Sequence, residues 1–195
     1  MSRSGSPKSF DVIGFDADDT LWHSEDSFSA GEARFVELVS PYVSEGIDVK
    51  AALTAVERKN LRTFGYGVKA FGLSAVEAAI TISEGRVPTH VIGTLVEMIR
   101  AQLTEPVRLL PHVPEVLAAV GRHYRMVLIT KGDLIHQTFK VETSGLAHHF
   151  EHCEILLEKD PSTYRTVLGN VGVAVDRFCM VGNSVRRDRK STRLN

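Results

Sequence analysis

The sequence predicts an α/β protein: a parallel sheet with helical crossovers, interrupted by one long, all-helical insertion. Two observations carry that prediction. Three short apolar runs rich in β-formers, FDVIGF (10–15), RMVLIT (125–130) and RFCMVGN (177–183), are bounded by polar or glycine-containing turns, with amphipathic helical stretches between them. Between the first two runs, residues 24–108 carry almost no strand signal, and that stretch is too long for a single crossover.

Taken in order, the first strand leads directly into FDADDT, three carboxylates within four residues. The insertion opens with AGEARFVELVSPYV (30–43), where Ala30, Phe35, Leu38, Val39 and Tyr42 fall near the i, i+3, i+4 spacing of a helix. VKAALTAVERKNLRTF (49–64) repeats that spacing through Leu53, Val56, Leu61 and Phe64. SAVEAAITISE (74–84) is expected to begin a helix at Ser74, with Glu77 three residues on completing a capping box. PTHVIGTLVEMIRAQL (88–103) gives a further helix, Pro111 and Pro114 mark the return to the sheet, and EVLAAVGRHY (115–124) precedes the second strand. HCEILLE (152–158) is a fourth strand candidate, running into the EKDPSTY turn.

The 195 residues suffice for one domain, or one domain carrying an insertion. A formal net charge of −1 gives no nucleic-acid footprint, and no apolar stretch approaches the ~20 residues that cross a bilayer. Residues 1–9 read as a polar, frayed lead-in without the apolar centre of a signal peptide. Cys153 and Cys179 lack CxxC spacing, so a reducing, cytoplasmic setting is expected. The ending RRDRKSTRLN is abruptly basic. It is expected to be a foreign tail on a truncated core, which would leave the last strand as an edge.

In an open parallel sheet, ligands bind beyond the carboxyl ends of the strands. There the sequence places Asp16, Asp18 and Thr20, then Thr130, Lys131 and Gly132, then Lys159, and finally Asn183, Ser184 and Asp188. Asp16 and Asp18, at alternate positions, are expected to share one face. Acids, a hydroxyl, ammonium groups and an amide suit a divalent cation plus a phosphate. The sequence leads us to expect that only a cation among the acids makes the crowding at DADDT stable. One Asp can then attack phosphorus, and a second acid can protonate the leaving alkoxide and later activate water. Taken alone, D-x-D-x-T is also an ordinary strand-to-helix capping turn. Asp19 reads as a solvated or capping residue.

With these residues in view, FDADDTL resembles motif I of the haloacid dehalogenase (HAD) superfamily, and VLIT, ending at Thr130, resembles motif II. Lys159 in EKDPSTY is similar to motif III, and MVGNS with Asp188 to motif IV, where Asn183 stands in place of the commoner Asp. The resemblance implies a Rossmann-like core (10–23 and 109–188), a helical cap (24–108) and a non-family tail (189–195). It implies Asp16 as nucleophile and metal ligand, and Asp18 as general acid/base with its backbone carbonyl on the metal. Thr130 and Lys159 would bind the phosphoryl group, Asn183 and Asp188 would complete the shell around Mg²⁺, and a small phosphorylated metabolite would be the substrate; Lys131, next to Thr130, is a further phosphate candidate but reads more readily as a surface or salt-bridging residue. Asp18 also separates subfamilies, because members resembling true dehalogenases lack that acid.

Rival readings remain: a phosphomutase, a dehalogenase-like hydrolase, a receiver-like phospho-acceptor without turnover, or an inactive truncated member. In NLRTFGYGVKAFG (60–72), Tyr66 and Lys69 either pack an inter-helix turn or select the leaving group. Trp22 reads as core and His23 as a residue near the cap entrance. His148, His149 and His152 beside Cys153 lack a second cluster at zinc spacing and read as a solvated helix end.

Overall fold

The computed structural model describes residues 10–183. Four parallel strands form one sheet in the order β3-β2-β1-β4: β1 is Val12–Phe15, β2 Arg125–Lys131, β3 His152–Leu156 and β4 Phe178–Val181. Each falls on one of the four apolar runs. The chain divides into two compact units, one helical over Ser24–Pro106 and one α/β over the remainder.

In the α/β unit the strand period of two sorts side chains to opposite faces. Ile13, Phe15, Met126 and Leu128 join Val113 and Leu117 of α5 (Val113–Gly121) and Val141 of α6 (Leu134–Thr143) in one core. Val12, Val127 and Ile129 join Tyr164, Val167 and Val171 of α7 (Pro161–Val171) in the other. Covering both faces explains why β2 reads as an unbroken apolar run rather than as an alternating one. Gly14 allows the close approach of β4, since a Cβ there would lie 2.5 Å from the ring of Phe178. Among the described residues β4 pairs with β1 alone, and Val181 is 40% exposed.

The helical unit contains α1 (Glu25–Val39), α2 (Val49–Phe64), α3 (Val68–Ile82) and α4 (Thr89–Leu103). Phe35, Val39, Leu53, Phe71, Ala75 and Leu95 form its core, and burying each large side chain contributes about 1.5–3 kcal/mol. No helix among the described residues is long and apolar enough to cross a membrane.

One expected helix start is wrong. Ser74 is not an N-cap: α3 begins six residues earlier, at Val68, and Ser74 is a buried mid-helix residue. The amide of Asn60, also buried, donates to Ser74 Oγ (3.3 Å) and to Glu77 Oε2 (2.7 Å) across the α2–α3 contact. The Ser and Glu at capping-box spacing thus satisfy a buried amide instead of a helix end. The true capping box is at α7, where Asp160 accepts from the backbone N–H of Thr163 and Thr163 Oγ1 accepts from that of Asp160. The 60–72 segment is also more helical than its glycines suggest, because Lys69, Phe71 and Gly72 lie in α3.

Candidate active site

Asp16 follows β1 directly, and its N–H donates to Val181 O of β4 (2.8 Å), continuing the ladder by one residue. Its Oδ1 accepts from Lys159 Nζ at 2.5 Å and from Ala17 N–H at 2.9 Å. Lys159 comes from the β3–α7 connection, fixed by the capping box at Asp160, and its side chain is only 4% exposed. Among the described residues, Asp16 Oδ2 accepts nothing.

Asp18 lies outside β1, in a tight turn where Asp19 takes a positive φ of 55° and donates its N–H to Trp22 O (2.8 Å). Its carboxylate has its own set of donors. Oδ1 accepts from Lys140 Nζ at 2.5 Å and from the Trp22 indole N–H at 2.7 Å, and Oδ2 accepts from Gln137 Nε2 at 2.8 Å. Burial pushes the Asp18 carboxyl up. The Lys140 charge and hydrogen bond, with the bonds from Gln137 and Trp22, more than offset this and leave it below the ordinary Asp value.

This corrects the expectation that only a metal cation could stabilise the acid cluster. Two of the three carboxylates of this loop sit each on its own ammonium, Asp16 on Lys159 and Asp18 on Lys140, supplied by different elements. Lys140 and Gln137 were not singled out from the sequence. The available signal was weak: both lie on the inward stripe of α6 with Val141, where an amphipathic helix would ordinarily place apolar residues.

Thr130 ends the buried part of β2, beside β1, and is 1% exposed. Among the described residues its Oγ1 has no hydrogen-bond partner, and neither do Thr20 Oγ1 and Gln137 Oε1. Buried polar atoms are ordinarily satisfied, so orphans on the turn after β1, on β2 and on α6 are what a ligand-binding edge would leave. Lys131 Nζ lies 3.5 Å from Glu158 Oε2. Asn183 is exposed, two residues past the Val181 carbonyl that Asp16 meets. Asp188 and Ser184 lie outside the described residues, as do the lead-in and the tail.

Trp22 is buried at 1% in the core with Phe15 and Leu117. His148 and His149 stack ring to ring at 4.0 Å, and the described residues hold no group of three or more His, Cys, Asp or Glu able to grip a metal ion. Tyr66 and Lys69 belong to the helical unit.

The family model for haloacid dehalogenase-like hydrolases matches residues 10–191. The chain belongs to that family. A haloacid dehalogenase-like family hydrolase from Xanthomonas campestris is 44% identical with a TM-score of 0.89, over 96% of this chain and 79% of that one. Two more distant HAD-like structures share the fold. One, described as a predicted phosphoglycolate phosphatase from Haemophilus somnus, has a TM-score of 0.63 at 20% identity, over 96% of this chain and 82% of that one. The other, a 2-haloacid dehalogenase from Pseudomonas syringae, has a TM-score of 0.64 at 18% identity, over 93% and 83%. No curated protein matches the chain.

HAD hydrolases generally use Mg²⁺, and the donor chemistry here fits such a hard cation. Asp16 Oδ2 is open, and the other candidate ligands, the Asp18 carbonyl and the Asn183 amide, also offer oxygen. With so few protein carboxylates, the remaining positions would fall to water and to a bound phosphate, as is usual for Mg²⁺.

Proposed function

We propose that this HAD-like hydrolase cleaves a small phosphate monoester, with Mg²⁺, through an aspartyl-phosphate on Asp16. The observation that carries this reading is Asp18: an acid two residues after the nucleophile, its carboxylate held by three donors. A halide leaves without a proton, so a dehalogenase has no use for such a group, whereas an alkoxide needs one.

On this reading Asp16 Oδ2 attacks phosphorus while the bond to the leaving oxygen breaks, and that oxygen takes a proton from Asp18, which must first take one up from solvent, because Lys140, Gln137 and Trp22 hold the resting carboxyl below the ordinary Asp value. Water then attacks the acyl phosphate, giving its proton back to Asp18. The Asp16–phosphorus linkage breaks, releasing phosphate and restoring the carboxylate. Lys159 is shared between Asp16 and the phosphoryl oxygens, Lys131, paired with Glu158, is a further donor to them, and Thr130 Oγ1 finds in a phosphoryl oxygen the partner it lacks among the described residues. Asp16, the Asp18 carbonyl and Asn183, with Asp188 from outside the described residues, would hold Mg²⁺, which would supply the charge neutralisation that a carboxylate needs to approach a phosphate dianion.

The helical unit is the cap of this enzyme, and selection of the leaving group falls to its Tyr66 and Lys69. A cytoplasmic setting agrees with the two free cysteines, Cys153 and Cys179. The deciding experiment is Asp16→Asn: turnover of an aryl phosphate should fall by more than about 10⁴-fold, the scale of losing a covalent nucleophile. Quenched wild-type protein should carry a phosphoryl adduct on the peptide containing Asp16. Turnover that survived the substitution, or transfer of the phosphoryl group to a second hydroxyl of the substrate instead of to water, would replace this reading.

A further inference from the structure

Lys159 reaches Asp16 from the short connection 157–160, between β3 and α7. A lysine side chain carries about 2 kcal/mol of rotamer entropy, yet this one is 4% exposed, with its ammonium 2.5 Å from Asp16 Oδ1. Its backbone origin is held as closely as its tip. Thr163 Oγ1 accepts from the Asp160 N–H (3.1 Å) and donates to Glu158 O (3.0 Å), with Asp160 O as an alternative acceptor at 3.2 Å. Glu158 O and the Asp160 N–H belong to the two peptide groups on either side of the Lys159 Cα. One hydroxyl therefore ties both planes together, which restricts φ and ψ of Lys159 and with them the direction of its Cα–Cβ bond. Pro161 adds to this by keeping Asp160 extended, at φ −121° and ψ 169°.

A helix start does not require this arrangement. In a capping box the third helical residue, ordinarily Glu or Gln, bonds the N-cap N–H alone, and here the Asp160 carboxylate already receives the N–H groups of Ser162 and Thr163. The bond to Glu158 O lies outside the helix, two residues before the cap, and an ionised Glu in place of the threonine would have no proton to make it. We propose that Thr163 is a positioning residue for Lys159, setting the backbone from which the ammonium reaches the transferred phosphoryl group. The proposal rests on the phosphatase reading, and it gives the first turn of α7 a part in the reaction without contact with substrate.

The test compares wild type with Thr163→Val, Thr163→Ser and Thr163→Gln on a series of aryl phosphates and one alkyl phosphate, with saturating Mg²⁺ and at a temperature where all four proteins stay folded. Thr163→Val should lower kcat about 10-fold for every ester alike, because a displaced ammonium acts on the phosphoryl group that the series shares. Inhibition by inorganic phosphate should weaken with it, by about fivefold. Thr163→Ser keeps the hydroxyl and should stay within about twofold of wild type. Thr163→Gln keeps the capping box but not the short hydroxyl, so it should unfold like wild type and yet lose turnover as the valine variant does. Wild-type turnover in Thr163→Val or Thr163→Gln, or an equal loss in Thr163→Ser, would overturn the proposal and leave Thr163 a helix cap alone. If Thr163→Val fails to unfold cooperatively, the serine and glutamine variants decide between the same outcomes. Failure of the parent reading looks different: wild type would then release no phosphate from any ester.

Discussion

Lys159 Nζ lies 2.5 Å from Asp16 Oδ1, across 143 residues of sequence. The pair joins the end of β1 to the connection after β3. With Lys159 nearly buried, removing either partner would strand a charge at a cost of about 3–5 kcal/mol. Together with Lys140 on Asp18, it means that the protein's own side chains balance the charges of both aspartates at this sheet edge.

That balance predicts the outcome of chelation. EDTA should abolish phosphatase activity and added Mg²⁺ restore it, yet the chelated protein should keep its circular dichroism and unfold cooperatively. Unfolding on chelation would show that the lysines do not suffice.

Thr130→Val should separate stability from activity. The hydroxyl is buried without a partner, a condition that costs about 1–3 kcal/mol, so the near-isosteric valine should raise the thermal midpoint. The same change should lower kcat/KM for phosphate esters by about 10-fold or more, through loss of a donor to the phosphoryl group. A lower midpoint would mean that the hydroxyl already has a structural task.

Gly132→Ala should damage both. The residue has φ 149°, which L side chains rarely adopt, and its new Cβ would press on the Gln137 amide. A loss of about 1–3 kcal/mol in denaturant unfolding is expected, with slow alkyl esters suffering more than aryl ones. Equal loss on all esters would place Gly132 in folding alone.

Acid should weaken the N-terminus of α7. Hydrogen bonds from the Ser162 side chain, then from Thr163 and the Ser162 backbone, hold the Asp160 carboxyl at about 2, against 3.8 ordinarily. A carboxyl depressed on folding stabilises above its unfolded value and loses that contribution as pH falls towards the folded one, here between about pH 4 and pH 2. Asp160→Asn, which keeps an acceptor but does not titrate, should remove that part of the acid limb in unfolding measured across this range. An unchanged limb would dismiss the cap as its source.

The sequence by itself determined the strands, because each is a short run rich in β-formers bounded by turns, and β2, covered by helices on both faces, is apolar almost throughout. It also put Asp16, Thr130 and Lys159 at the carboxyl ends of strands, since each directly follows or closes such a run. It did not reveal Lys140 or Gln137: a helix stripe records that a face turns inward, not which distant group it meets. Nor did it place Ser74, whose local capping signal gave way to the demand of a buried Asn60 amide. Tertiary structure decided those cases because hydrogen-bond satisfaction in the interior is settled between elements, by partners that sequence spacing does not encode.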